Sequence, residues 1–403
     1  MKNRLVKLLN LLIIFHLPLV MLSSQTLSEV GHYGKNDVSD VVLIYCGDSK
    51  RLKWVEDDFM PYVTHTFLDG HKTWLFQGFV FLELSLNKHY FLHKKNSVQY
   101  GTRDDWKALI NKAFEENRAF DALNTTIEKQ KRELGNPPFR HKVIYGIPTP
   151  IKNQKDWGNI GRKSLDFSTN ADRVQAAKWY VDEFMATYKK HSYNNLDFDG
   201  FYWTEEDMEQ VSSKIMHEVA DYIHQKYHVK FYWMPYLRAN GSTTWQKGGF
   251  DYAYTQSGYS IKKSYGIDRV KKMCKKAKER GMGIVIEFDG GLFANPDMFV
   301  PRLNETIDEL EIQGVYEAQT ALAYYEGGRL VRDIHYGKHK SYKPTREQLL
   351  SIKKIMDRIA QHIVDRHPKT YKSTGDYQQP PNNKSNNSTN SSYDWRNPDY
   401  WHF

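Results

Sequence analysis

Glutamates stand inside or just beyond several apolar runs of this 403-residue chain: Glu83, the pair Glu205 and Glu206, Glu287, and Glu317. A carboxyl group among apolar neighbours is costly to bury unless it is paired or used. Two such groups facing each other across a cleft can cleave a glycosidic bond. One, protonated, donates to the leaving oxygen; the other, charged, works from the opposite side of the sugar ring. The acid must keep its proton near neutral pH, which burial or a nearby like charge arranges. The stretch Asp199-Gly200-Phe201-Tyr202-Trp203-Thr204-Glu205-Glu206-Asp207 leaves one choice open, because alternate side chains of a strand face opposite ways. If Gly200 and Tyr202 face inward, Glu206 is the inward acid; if Asp199 does, it is Glu205. Phe201 and Trp203 suit a helix-covered face, which favours Glu206 and keeps Glu205 as the alternate. Each acid also has a plainer reading: Glu205, Glu206 and Asp207 as first-turn acids of the next helix, Glu287 as half of a buried ion pair, and Asp199 as the partner of a Lys or Arg.

The elements that must position these groups alternate in period. Strand-like runs fall at Val41–Cys46, Trp74–Leu84, Val143–Ile147, Leu196–Trp203, Val229–Tyr236, Tyr252–Gln256, Ile284–Phe288 and Val315–Leu322. They are β-rich and apolar on both faces, as strands buried in a parallel sheet are. Between them apolar residues recur at helical spacing, as in Val174, Ala177, Val181, Phe184 and Tyr188, or Ile352, Ile355, Ile359 and Ile363. Helical patterns also fit 106–134, 267–280 and 297–312. Eight runs alternating with helices predict an α/β fold, a single-domain (β/α)8 barrel of the TIM type over residues 40–370. An open doubly wound sheet is the alternative, but no Gly-rich turn follows the first strand to cradle a nucleotide. In a barrel the reactive groups sit where strands end at the C-terminal face. That places Glu206 (or Glu205) at the end of strand four and Glu287 at the end of strand seven, with Glu83 on strand two and Glu317 on strand eight.

Aromatics make up 14% of the chain, which suits planar ligands such as sugar rings. The expected sugar-binding residues are Tyr45, Glu83, Tyr202, Tyr236, Trp245, Tyr254, Gln256 and Glu317; Trp157, Tyr259 and Tyr324 are further rim candidates. Other chemistries lack their signatures. There is no H-E-x-x-H, no G-x-S-x-G and no Walker loop, and the histidines are not spaced as zinc ligands. The two cysteines, Cys46 and Cys274, cannot form a disulfide scaffold or a four-cysteine zinc site. No metal or organic cofactor is expected. The net charge of +9 is diffuse. Its densest cluster, Lys271, Lys272, Lys275, Lys276 and Lys278, shares a helix with Val270, Met273, Cys274 and Ala277 and reads as a solvated face, so nucleic acid is not an expected partner.

The two ends differ from the middle. Residues 1–24, with Lys2, Arg4 and Lys7 before the apolar run Leu8–Leu22, read as a signal peptide, implying a secreted or periplasmic protein without stable membrane insertion after cleavage. Residues 371–403 read as a low-complexity tail. Its Asn/Ser tract, Asn382–Ser392, cannot bury enough apolar surface to order itself, yet Tyr393, Trp395, Tyr400, Trp401 and Phe403 follow.

The stretches Leu43-Ile44-Tyr45-Cys46-Gly47, Gly200-Phe201-Tyr202-Trp203, Tyr232-Trp233-Met234-Pro235-Tyr236 and Phe250–Gln256 resemble an uncharacterised family of secreted bacterial domains. Glutamates ending strands four and seven also resemble the large clan of retaining glycosidases with barrel folds. That resemblance implies an acid/base on strand four and a nucleophile at Glu287. The clan usually has Asn before its strand-four glutamate; here Thr204 or Glu205 stands there. The expectation is therefore a secreted glycoside hydrolase acting on a poly- or oligosaccharide by a two-glutamate, retaining route. The alternatives are a non-catalytic glycan-binding barrel, or an inverting hydrolase or lyase on an acidic glycan.

Overall fold

Eight parallel strands close on themselves in the computed structural model, which describes residues 37–47, 51–94, 98–208, 212–316 and 319–367. They are β1 (Asp40–Tyr45), β2 (Gly78–Leu82), β3 (His141–Ile147), β4 (Leu196–Trp203), β5 (Lys230–Trp233), β6 (Tyr252–Gln256), β7 (Gly283–Glu287) and β8 (Leu322–Tyr325). Each pairs with its neighbours in sequence, and β8 returns to β1 through Asp40↔Leu322 and Val42↔Tyr324. Closure leaves no sheet edge to protect. The expected (β/α)8 barrel is thus the fold. The expected signal peptide and the aromatic-ended tail lie outside the described residues.

Two apolar layers explain why these sequences make strands without simple alternation. Val41, Leu43, Val80, Leu82, Ile144, Tyr202, Tyr232, Tyr254, Val285 and Ala323 fill the barrel interior. Val42, Ile44, Phe79, Phe81, Val143, Tyr145, Phe201, Trp203, Phe231, Trp233, Ile284 and Ile286 point outward under the helices. Both faces are therefore apolar, as a helix-covered parallel sheet requires. The covering helices include Asn170–Tyr188, Ser213–Tyr227, Asp268–Arg280, Pro296–Ile312 and Arg346–Asp365. Asp268–Arg280 buries Val270, Met273, Cys274 and Ala277 and exposes Lys271, Lys272 and Lys275. Lys276 and Lys278 depart from the expected solvated face: Lys276 donates to the Leu237 carbonyl and the Ser242 hydroxyl, both at 2.6 Å, and Lys278 to the Gln313 carbonyl. Among the described residues no helix is long and apolar enough to cross a membrane.

Three boundaries differ from expectation. The run Trp74–Leu84 is split between an outer hairpin strand, Lys72–Trp74, and β2. The region 106–134 is two helices, Arg103–Ala113 and Ala119–Leu134. The eighth strand begins where the expected one ends: Val315 and Tyr316 are buried in the connection after helix Pro296–Ile312, and pairing with β7 starts at Leu322↔Ile284. An apolar linker imitated a strand, while the true one is only four residues long. Glu317, expected on the eighth strand, falls outside the described residues.

A bulge sets the phase of β4. The pairing with β3 slips between Phe198 and Gly200, then runs regularly from Gly200↔Ile144 to Trp203↔Ile147. Gly200 is needed there, since a Cβ would lie 2.1 Å from the carbonyl oxygen of Lys230 on β5. The bulged Asp199 carboxylate is used by Lys142 at 2.8 Å, Lys230 at 3.2 Å and the Tyr232 hydroxyl, so it is a structural ion-pair centre, as expected. From Gly200 onward Tyr202 faces the interior and Phe201 and Trp203 face the helices, the phase that favours Glu206.

Candidate active site

Because the strands are parallel, their C-terminal ends surround one mouth, and an inward-facing acid at such an end opens onto it. Glu287 closes β7 and is only 5% exposed. Its Oε2 accepts the backbone N–H of Gly258, on the turn that follows β6. Gly258 takes φ +72°, and a Cβ there would press on the Tyr265 ring at 2.9 Å, so glycine lets this turn point its N–H at the carboxylate. Burial pushes the Glu287 carboxyl up to about 7, and the nearby charge of Glu206 pushes the same way. The Gly258 N–H and Lys262 oppose them without cancelling the rise.

Glu206 lies just beyond β4 with its side chain open to solvent. Its Oε1 accepts the Gln256 Nε2–H at 2.8 Å, and the same amide nitrogen reaches the Met234 carbonyl at 3.3 Å. Gln256, the last residue of β6, is thereby fixed between strand ends. The protein crowding around the Glu206 carboxyl raises it, while Gln256, Lys262 and Lys94 hold it down. Glu205 faces away from solvent and spends Oε2 on the His93 N–H at 2.9 Å, tying the loop after β2 to β4. Burial, then Glu206 and Asp207, push Glu205 up to about 7. Asp207 accepts the Tyr236 hydroxyl and both the main-chain N–H and side-chain amide of Asn240, at 3.1 and 2.9 Å.

Tyr45, Tyr202 and Tyr325 complete the floor. The Tyr45 and Tyr325 rings meet edge to face at 6.2 Å, and the Arg51 guanidinium lies 4.5 Å from the Tyr45 ring centre. Burial raises the Tyr45 and Tyr202 hydroxyls well above their ordinary range, and the Glu206 charge adds to both. Glu83 is at the mouth but is committed to Arg51, whose Nε and Nη2 donate at 3.1 Å, and to the Leu84 N–H at 2.8 Å. It holds the cation that covers Tyr45.

The sequence-derived sugar platform needs correction at several positions. Tyr236 is 39% exposed at the rim, whereas Tyr45 is buried with the Arg51 guanidinium over its ring. Trp245 is buried as well: it packs into the outer core from the 3-10 helix Ser242–Gly248, and its Nε1 donates to the Arg280 carbonyl at 2.8 Å. Tyr254 is wholly buried inside the barrel, opposite Gly283 at the start of β7, so it lies below the mouth. Trp157 is packed between Trp106 and Trp179, the Tyr259 hydroxyl is bonded to Glu305, and the Tyr324 hydroxyl donates to Asp40 at 2.9 Å. In all of these, packing won. Cys46 and Cys274 are free, and burial pushes both thiols up to about 12. Among the described residues no three or more His, Cys, Asp or Glu are grouped to hold a metal ion.

Arg51, Lys94, Lys262, Tyr325 and Glu326 were not found from the sequence. Glu326 follows β8 directly and precedes Gly327-Gly328, as Glu287 precedes Asp289-Gly290-Gly291, so a correct eighth strand would have exposed the likeness. It is fully buried on the helix side, where Oε2 accepts the Tyr62 hydroxyl at 2.9 Å and the Val331 N–H at 3.1 Å. Burial pushes it up to about 8, against those donors. Its proton stays on in the fold at pH values where the unfolded chain has lost it. Stability must therefore fall as pH rises from about 4.5 through about 8. Glu326→Gln is expected to match wild type in urea midpoint at pH 4.5 and to exceed it at pH 9; equal midpoints at both would contradict the buried proton.

This chain belongs to the family described as a domain of unknown function (DUF4855), whose model matches residues 40–351. No curated protein matches the sequence significantly. Solved structures similar to this member include a family 18 chitinase from Crocus vernus, 13% identical over 80% of this chain and 99% of that one, with a TM-score of 0.38. A xylanase and α-amylase inhibitor protein from Scadoxus multiflorus is 11% identical over 75% and 99%, with a TM-score of 0.39. Eubacterium rectale Amy13B is 10% identical over 84% and 80%, with a TM-score of 0.41. At these values the likeness adds nothing to the barrel already read from the strand order.

Proposed function

We propose that this DUF4855 barrel hydrolyses glycosidic bonds in a poly- or oligosaccharide, with Glu206 and Glu287 as the working pair. The observation that carries the reading is that two acids stand at the C-terminal ends of β4 and β7, Glu206 held by the Gln256 amide and Glu287 by the Gly258 N–H, with the Glu206 charge adding to the rise at Glu287. Glycoside hydrolysis starts from one protonated and one charged carboxyl. The proton rests on the more buried partner. Glu287 holds it to about pH 7, whereas Glu206 is open and has the charges of Lys262 and Lys94 beside it. Glu287 is thus the proton donor to the leaving oxygen, and Glu206 the carboxylate that attacks the sugar or activates water. That reverses the roles implied by resemblance to the retaining clan. Tyr236 offers a ring face to the sugar, and Gln256 fixes Glu206.

The expected pH profile follows from a protonated Glu287 and a charged Glu206. Activity should fall as pH rises through about 7, when Glu287 loses its proton, and fall again in acid as Glu206 gains one. The optimum therefore lies on the acid side of neutral. A kcat/KM profile that stays flat from pH 6 to 9 would contradict the pairing.

A further inference from the structure

Two cations of the mouth, Lys94 and Lys262, do more than the reaction needs if their part is only to keep Glu206 charged. Lys94 follows His93, whose N–H holds Glu205, and its main-chain N–H and carbonyl meet the Tyr100 hydroxyl at 3.5 and 3.4 Å. Lys262 closes the turn after β6 by donating its N–H to the Gly258 carbonyl at 3.1 Å. Its stem runs beside Gly258, with Cδ 4.0 Å from where a Cβ would be, and Gly258 in turn holds Glu287. The loops carrying these lysines follow β2 and β6, which stand on opposite sides of the eight-strand ring with β4 midway between them. Glu206, beyond the end of β4, feels both ammonium charges, and Glu287 also feels Lys262.

Neither ammonium forms an ion pair among the described residues. Lys94 Nζ rests 5.2 Å from the Tyr90 ring centre and Lys262 Nζ 5.4 Å from the Tyr265 ring centre. Elsewhere this barrel matches its inner cations to acids: Arg51 to Glu83 at the mouth, and Lys142, Lys230 and Arg366 to Asp199, Asp37 and Asp40 below it. Holding Glu206 charged is one task for them, but Lys262 also works against the proton that Glu287 must keep, so a neutral substrate does not account for cations on both sides. An anionic substrate does. It must approach a mouth that holds Glu205, Glu206, Asp207 and Glu287, and without facing cations like-charge repulsion would exclude it.

We propose that the mouth takes an acidic glycan, with Lys94 and Lys262 meeting carboxylate or sulfate groups on sugars at either side of Glu206. This rests on the hydrolase reading and names its substrate class; the lysines are specificity-determining, while Glu206 and Glu287 carry the reaction.

The test follows release of new reducing ends by the full chain and by Lys94→Ala and Lys262→Ala. The probes are polygalacturonate, hyaluronan and chondroitin sulfate, set against neutral xylan and β-glucan. Release from an acidic polymer is expected, with each substitution raising KM about tenfold and changing kcat less. Carboxyl-reduced and desulfated forms of the cleaved polymer tell which anion is read. Cleavage of a neutral polymer alone, unaffected by either substitution, overturns this inference and leaves the hydrolase reading standing. If the wild-type chain releases nothing from any probe, the hydrolase reading fails by itself. Binding of the same polymers by Glu287→Gln and by the lysine variants then decides this one: lysine-dependent retention of the acidic polymers supports it, and equal or no retention overturns it.

Discussion

Glu287→Gln is expected to lower glycosidic turnover by about 10²–10⁴-fold, the usual contribution of a placed acid or base, and to make the folded protein more stable above pH 7. Both effects come from one burial. The carboxyl sits under the mouth at 5% exposure, with Gly258 and the Glu206 charge as its polar surroundings. Its rise from 4.5 to about 7 means the folded chain keeps a proton that the unfolded chain sheds. Stability then declines as pH climbs from about 4.5 to about 7 and stays lowered above that, by an amount on the order of 3 kcal/mol. Glutamine keeps an oxygen for the Gly258 N–H and carries no charge to desolvate. Urea midpoints of the two proteins should therefore coincide near pH 4.5 and separate by pH 8, the variant being higher. A variant that is less stable at pH 8, or whose advantage ignores pH, would contradict a destabilising buried charge.

Glu206→Ala should separate the roles of the two acids. Its carboxylate is the open, lysine-flanked member of the pair, and Gln256 holds one oxygen in place. If it is the attacking or water-activating group, the alanine variant loses at least about 10²-fold, even on an aryl glycoside whose leaving group departs without a proton. Added azide should restore turnover by occupying the vacated space. Glu287→Gln should behave the other way, nearly inactive on natural linkages but active on the activated aryl glycoside. Azide rescue of Glu287→Gly instead of Glu206→Ala would exchange the roles and return them to those of the retaining clan.

Much of this was readable from residue order because the barrel imposes a simple rule: strand ends share one mouth. Runs apolar on both faces gave the strands, and Phe201 with Trp203 gave the phase of β4, since two bulky aromatics fit only under the helices. The bulge at Asp199 could have reversed that phase, but it precedes Gly200 and leaves the count to the rim intact. Where reading failed, the deciding contact was remote in sequence. Val315 and Tyr316 looked like a strand because a buried linker and a buried strand have the same composition. Trp245 looked like a platform, yet its indole is claimed by Arg280. Tyr254 sits one step too deep for the mouth, which follows from its register with Gly283. Arg51, Lys94 and Lys262 come from loops, whose destination no periodicity encodes. The hydrogen bonds from His93 to Glu205 and from Gly258 to Glu287 carry two of those loops to the acids.

The measurement that bears most directly on the central claim is reducing-end release from a panel of polysaccharides, run side by side with wild type, Glu206→Gln and Glu287→Gln. Glycosidic hydrolysis by the coupled pair predicts release by wild type on the acid side of neutral and its collapse in both variants, with circular dichroism unchanged. Release that persists in Glu287→Gln, or tight polysaccharide binding by wild type with no release at any pH, would contradict it.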